Sequence, residues 1–128
     1  MTPVVLDASA ILAMLREEPG GDSVAAALAH AVVSAVNLQE VAKEIVRAGA
    51  SPSEARAVLD ELALDVRAHD TDAAYEAAAL YDATKRYGRG LGDRSCIALG
   101  LALGAPVMTA DREWARIEIE GLDLQHVR

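Results

Sequence analysis

Residues 2–15, TPVVLDASAILAML, set three apolar β-formers, Val4, Val5 and Leu6, directly against a helix-forming run that starts at Ala8, with the lone carboxylate of Asp7 at the junction. A short strand passing into a helix with no loop between them is the opening of a βα unit. Asp7 has two readings there. Its oxygen can accept from the unpaired N–H groups of the first helical turn, or it can hold a metal ion at the end of the strand. The remainder of the chain has to separate the two.

Outward from this stretch, the same punctuation repeats. EEPGGD (residues 17–22) breaks the chain, and Asp22 or Ser23 is placed to cap a helix through VAAALAHA. The strand-like AVVSA (31–35) follows, and Asn37 then opens a helix through LQEVAKEIVRAG, with Leu38, Val41, Ala42 and Ile45 on one face and Gly49 ending it. Ser51, Pro52 and Glu54 form a capping-box start for a further helix. DVRAH (65–69) reads as a short strand, and DTDAAYEAAALYDATKRYG (70–88) as one long amphipathic helix begun by Asp70 or Thr71 and ended by GRGLG. A helix from Asp93 to about Leu103 leads into the strand APVMTA (105–110), DREWARI (111–117) is a short helix, and LDLQHV (122–127) a last strand. Strands alternating with helices imply parallel pairing through right-handed crossovers, hence a sheet with helices on both sides.

At 128 residues the chain fits one domain, residues 1–128, large enough to bury a core without disulfides. That core has to be built from Ala, Val, Leu and Ile, because aromatic residues make up only 3% and there is no Phe. Cys96, the single cysteine, sits in the apolar SCIALGLALG and reads as a buried helix face, which suits a reducing, cytoplasmic setting. No basic, apolar leader precedes the first strand, and the most apolar stretch, Cys96 to Met108, is interrupted by glycines and Pro106 and is too short to span a bilayer. A soluble protein that is not exported is the expectation. The net charge of −8 weighs against simple phosphate binding. An acidic protein can still act on a polyanion if its carboxylates bind divalent cations and its few basic residues are clustered.

In a parallel sheet, ligands gather beyond the carboxyl ends of the strands. Asp7 follows the first strand, Asp111 lies two residues past the strand PVMT, Asp93 starts the helix feeding that strand, and Glu40 belongs to the helix after AVVSA. The topology therefore puts four acids on one rim, although they are spread over about a hundred positions. Each has a local explanation as a helix cap. Together they repel one another, and their ionised forms become tolerable when a cation neutralises them or their pKa values rise. Ligands that are all oxygen select hard cations such as Mg²⁺ or Mn²⁺.

The segments VVLDASAIL, SAVNLQEVAKE, GLGDRSCIALGLALGAPVMTAD and DREW resemble the PIN-domain ribonucleases, and within them the VapC toxins of bacterial toxin–antitoxin pairs. The resemblance runs over nearly the whole chain in order. It implies a single PIN-like α/β domain with a five-stranded parallel sheet flanked by helices, and an acidic quartet of Asp7, Glu40, Asp93 and Asp111 that binds Mg²⁺ or Mn²⁺ and carries catalysis. Ser9, Asn37 and Thr109 are its implied polar companions. The implied activity is cleavage of cellular RNA, such as tRNA or another structured RNA, by metal-activated water. The implied partners are that RNA, a VapB-like antitoxin and a second copy of the chain.

Basic residues complete the pattern. KRYGRGLGDR places Lys85, Arg86, Arg89 and Arg94 on a glycine-rich approach to Asp93, and Lys43 and Arg47 lie a helical turn apart beyond Glu40, as candidates to hold RNA phosphates. No Lys-Ser or Lys-Thr follows the glycines, so they form no P-loop. His30, His69 and His126 lack the spacing of a zinc or catalytic site. A phosphatase of the haloacid-dehalogenase type also opens with a strand ending in Asp, but Ser9 stands where its second Asp belongs. A catalytically silent binding module of the same fold would lack part of the acidic set, and this chain has all four.

Overall fold

The computed structural model describes residues 2–128. Its elements are β1 (Val4–Leu6), α1 (Ala8–Leu15), α2 (Gly21–Ala27), β2 (Ala31–Ser34), α3 (Ala35–Arg47), α4 (Pro52–Glu61), β3 (Asp65–Arg67), α5 (Thr71–Ala78), α6 (Tyr81–Thr84), α7 (Leu91–Leu103), β4 (Val107–Thr109) and β5 (Leu124–His126), with 3-10 turns at Leu28–His30 and Arg112–Arg116. The five strands form one sheet in the order β3-β2-β1-β4-β5, and every pairing is parallel. Val5 stands opposite Val32 on one side and Val107 on the other. The chain therefore turns one way from β1 to build β2 and β3, and the other way to add β4 and β5.

Side chains alternate across β1, and each face meets its own core. Val4 and Leu6, with Ala31 and Val33 of β2, pack under Ile11 of α1, Val24 of α2, Val41 of α3 and Leu59 of α4. Val5, Val32 and Val107 face the other way, against Cys96 and Ile97 of α7 and against Trp114 and Ile117. In α7, Gly100 is required by proximity, since a Cβ there would stand 2.4 Å from Val107 Cγ2. The absence of that methyl lets the helix lie directly on β4. Among the described residues, no helix is long and apolar enough to cross a membrane.

Three local expectations are corrected. Helix α3 starts at Ala35 with Ser34 as its N-cap, not at Asn37, because Ser34 at the end of β2 already accepts from the Val36 N–H. Glu40 consequently lies in the second helical turn. Helix α2 is capped by Gly20 with φ of 91°, without a side-chain bond from Asp22 or Ser23. The expected long helix over residues 70–88 stops at Ala78, and a short α6 follows a turn that leaves Leu80 against the second core. The capping box of Ser51 and Glu54 is present as the residues demand.

Candidate metal centre

The strand order reverses between β1 and β4, and at the carboxyl ends of such a pair the two loops diverge and leave a crevice. Asp7 stands at the end of β1, and Asp111 lies two residues past β4. Asp93 is in the first turn of α7 and Glu40 in the second turn of α3. All four line one cleft of about 220 Å³, together with Ser9 and Lys43.

Asp7 is buried and densely bonded. Its Oδ1 accepts from the Ala10 N–H at 2.8 Å and from Ser9 Oγ at 2.8 Å, and its Oδ2 lies 2.7 Å from the Thr109 hydroxyl that donates to it. Ser9 Oγ in turn accepts from the Ala110 N–H at 2.9 Å, and Thr109 Oγ1 from the Asp111 N–H at 3.0 Å. These bonds tie β1 and α1 to the end of β4 through the one carboxylate. Burial pushes the Asp7 carboxyl up to about 6; its hydrogen bonds from Thr109, Ala10 and Ser9 oppose the rise and the charge of Asp93 adds to it.

Glu40 is held from below. Asn37, fully buried, donates through Nδ2 to Glu40 Oε1 at 3.1 Å and to the Gly92 carbonyl at 3.0 Å, linking α3 to α7. A Cβ on Gly92 would fall 1.5 Å from Glu40 Oε1, so this position accommodates glycine alone while Glu40 stays in place. Asn37 Oδ1 is buried with no hydrogen-bond partner among the described residues. Asp93 Oδ2 accepts from the Gly90 N–H at 3.2 Å, and Asp111 Oδ1 from the Glu113 N–H at 3.0 Å. The Glu40 and Asp93 carboxyls are both raised, by burial first, with Asp93 adding to the rise of Glu40 and Asp111 to that of Asp93. Glu44, which also borders the cleft, is different: the Arg47 guanidinium bonded to it holds its carboxyl down to about 2.

Capping does not use up these carboxylates. Asp7, Asp93 and Asp111 each satisfy a backbone N–H with one oxygen, whereas Asp93 Oδ1, Asp111 Oδ2 and Glu40 Oε2 accept no hydrogen bond from the described residues. Free carboxylate oxygens facing one cleft, two of them on the Glu40 and Asp93 carboxyls raised by burial, suit a hard divalent cation. Among the described residues, no three acidic, histidine or cysteine side chains close on a single point as direct ligands.

The basic candidates divide. Lys43 lines the cleft, with Nζ 3.4 Å from Glu44 Oε2. Arg94 donates from Nε to Thr84 Oγ1 at 2.8 Å and lies over the Tyr81 ring at 5.4 Å from its centroid, beside the cleft. Lys85, Arg86 and Arg89 are exposed and line neither the cleft nor the groove beside it, and Lys85 lies 4.0 Å from Asp82. Arg47 is engaged with Glu44. His69, given no role by its spacing, is bonded through Nδ1 to Ser95 Oγ at 2.9 Å, and Ser95 meets Ser34 Oγ at 2.5 Å. No local signal connects residues so far apart in sequence.

The model of the PIN domain matches residues 4–120 of the chain. No curated protein matches it. Among solved structures, it is similar to a chain of the DNA-bound VapBC from Salmonella typhimurium, at 21% identity and a TM-score of 0.73, with both chains covered completely. It is also similar to a chain of a toxin–antitoxin complex from Klebsiella pneumoniae, at 15% identity, a TM-score of 0.74 and 98% coverage of each chain. A chain of VapBC-1 from nontypeable Haemophilus influenzae gives 20% identity, a TM-score of 0.70 and 97% coverage of each. At such identities the likeness is one of fold.

Proposed function

The chain belongs to the PIN-domain family, and from that premise we propose that it is a divalent-metal-dependent endoribonuclease of the VapC type, the toxic half of a toxin–antitoxin pair. The observation that carries the reading is the meeting of Asp7, Glu40, Asp93 and Asp111, from four separate elements, in one cleft at the reversal of strand order. Helix capping accounts for each acid alone but supplies no reason for three carboxyls with raised proton affinity to face one another.

The four acids would hold Mg²⁺ or Mn²⁺. When bound, the ion supplies neutralisation of the phosphate charge and a water activated for in-line attack on phosphorus, leaving a 5′-phosphate and a 3′-hydroxyl. The chain's own groups set the geometry. Ser9 and Thr109 fix both oxygens of Asp7, Asn37 fixes one oxygen of Glu40, and the Gly90 N–H fixes one oxygen of Asp93. Lys43 offers the cleft a cation for a substrate phosphate. The complexes to which the fold is similar support a VapB-like antitoxin as partner, and a homodimer follows the resemblance. An acidic cleft is silenced most directly by a guanidinium, which pairs with carboxylates through two parallel hydrogen bonds and competes with the metal.

The test is end mapping of cellular RNA after a short pulse of expression, with Asp7→Asn as control, alongside cleavage by purified protein in Mg²⁺, in Mn²⁺ and in excess chelator. New 5′-phosphate ends in the parent alone, lost in chelator, are expected. Full cleavage in chelator, or the same ends from Asp7→Asn, would reject the proposal.

A further inference from the structure

Beside the acidic cleft a larger groove, of about 870 Å³, runs between α3 and the segment from α5 to the start of α7. Glu40, Lys43 and Asp93 line both, so the groove opens directly from the cleft. Its wall carries Tyr81, 59% exposed, and it also includes Leu91, 83% exposed. Arg94 lies over the Tyr81 ring, 5.4 Å from its centroid, and is itself fixed by the bond from Nε to Thr84 Oγ1. In a chain with a single Trp, fully buried, and no Phe, this is an exposed aromatic ring already paired with a cation at the mouth of the candidate site.

From this arrangement we infer that the groove holds an unpaired base of the RNA next to the scissile phosphate, with Tyr81 as the platform on which the base stacks. The inference rests on the reading of the cleft as a ribonuclease site. A base is uncharged, so it can enter beside Glu40 and Asp93, where a phosphate meets repulsion. The phosphates on either side of it find Lys43 and Arg94. An exposed aromatic ring, an exposed leucine and two cations fit a nucleotide, which combines an apolar face with flanking negative charge. Continuity with the acidic cleft favours this occupant over a second protein. Exposure alone does not make the site: Tyr75, at 75%, is more exposed than Tyr81 but lies outside the groove. Tyr81 is accordingly a specificity-determining residue, selecting single-stranded over duplex RNA at the cut.

The experiment uses the whole chain as parent, Tyr81→Phe and Tyr81→Leu. The probe is a short single-stranded RNA carrying 2-aminopurine at one position at a time, titrated in Ca²⁺, with the mass of each protein followed by light scattering. Stacking on an aromatic platform contributes enough that its complete loss weakens binding by about 5- to 150-fold. Tyr81→Phe is expected to bind within about twofold of the parent, and Tyr81→Leu, which keeps apolar volume but no ring, to bind about 5- to 30-fold more weakly. Quenching of 2-aminopurine at the position beside the cut should persist in the parent and Tyr81→Phe and disappear in Tyr81→Leu. A parent that binds and cuts RNA while Tyr81→Leu does both equally well overturns this inference and leaves the ribonuclease reading standing. A parent that neither binds nor cuts RNA overturns both. Loss of a dimer in Tyr81→Leu, with RNA affinity unchanged per folded chain, would assign the groove to a second copy and overturn the stacking role.

Discussion

Replacing Asp7 by Asn should make the metal-free protein more stable at neutral pH, although Asp7 accepts bonds from three groups. The carboxyl is raised from its ordinary 3.8 to about 6, chiefly by burial. At fully ionising pH this difference corresponds to about 3 kcal/mol of stability withheld by the charge. Asn removes the charge and keeps the shape. Its Oδ1 still accepts from the Ala10 N–H, while its Nδ2 faces the Thr109 hydroxyl, which must turn its proton away at a cost of about 1 kcal/mol. A net gain of about 2 kcal/mol is expected above about pH 7. Urea unfolding read from Trp114, the single and fully buried tryptophan, measures it. With a slope of roughly 2 kcal/mol per molar, the midpoint moves up by about 1 M.

The pH dependence gives the sign an independent check. Because the folded-state value lies above the unfolded one, the folded parent takes up a proton that the unfolded chain still releases. The stability contributed by this protonation is fully present below about pH 4 and is lost as pH rises through about 6. The advantage of Asp7→Asn should therefore be small or reversed near pH 4, grow through that window and level off above it. Taking the difference between variant and parent removes the opposite acid dependence of carboxyls held low, such as Glu44 and Asp65. Millimolar Mn²⁺ should stabilise the parent and do much less for the variant. An Asp7→Asn protein less stable than the parent at about pH 8 without metal, or a difference that stays flat between about pH 4 and 8, would mean that the buried Asp7 charge does not strain the fold.

Two substitutions of the same kind on α7 should separate chemistry from packing. Gly92→Ala places a Cβ where Glu40 Oε1 now lies, so RNA cleavage should fall at least about tenfold. The urea midpoint should barely change, because only the end of a flexible side chain has to move and alanine favours the helix. Gly100→Ala drives a Cβ against Val107 and should cost about 1–3 kcal/mol of stability while leaving the cleavage rate per folded molecule unchanged.

The fold and the acidic quartet were legible because both are written in local chemistry. Val4–Leu6 against Ala8 marks a strand ending at a helix, and a parallel sheet then assigns every strand's carboxyl end to one rim, which is where Asp7, Asp93, Asp111 and Glu40 gather. Ser34 and Asn37 show where local chemistry is ambiguous. Both are good caps three residues apart, and the choice falls to Ser34 because Asn37 is drawn inward to bridge Glu40 and the Gly92 carbonyl, a contact across 55 positions. The basic cluster was read from proximity in sequence, which does not fix direction. Of its members Arg94 reaches the groove because α7 carries it there, whereas Lys85, Arg86 and Arg89, on the preceding irregular segment, remain in solvent. The chain from Ser34 through Ser95 to His69 has no sequence signature, since three elements supply one residue each.

The place of β1 at the centre of the sheet has a consequence for the order in which the molecule can acquire its chemistry. β1 receives its neighbour β2 early, but its other edge stays open until Val107 and Met108 arrive to pair with Val5 and Leu6. Until then Asp7 lacks the Thr109 hydroxyl, and the cleft lacks Asp111 and, earlier still, Asp93 as well. A contact of such long range is among the last to form and cannot be anticipated by a shorter nascent chain. A nascent chain that has not yet reached Asp111 therefore cannot assemble the four-acid cleft on which the proposed activity rests.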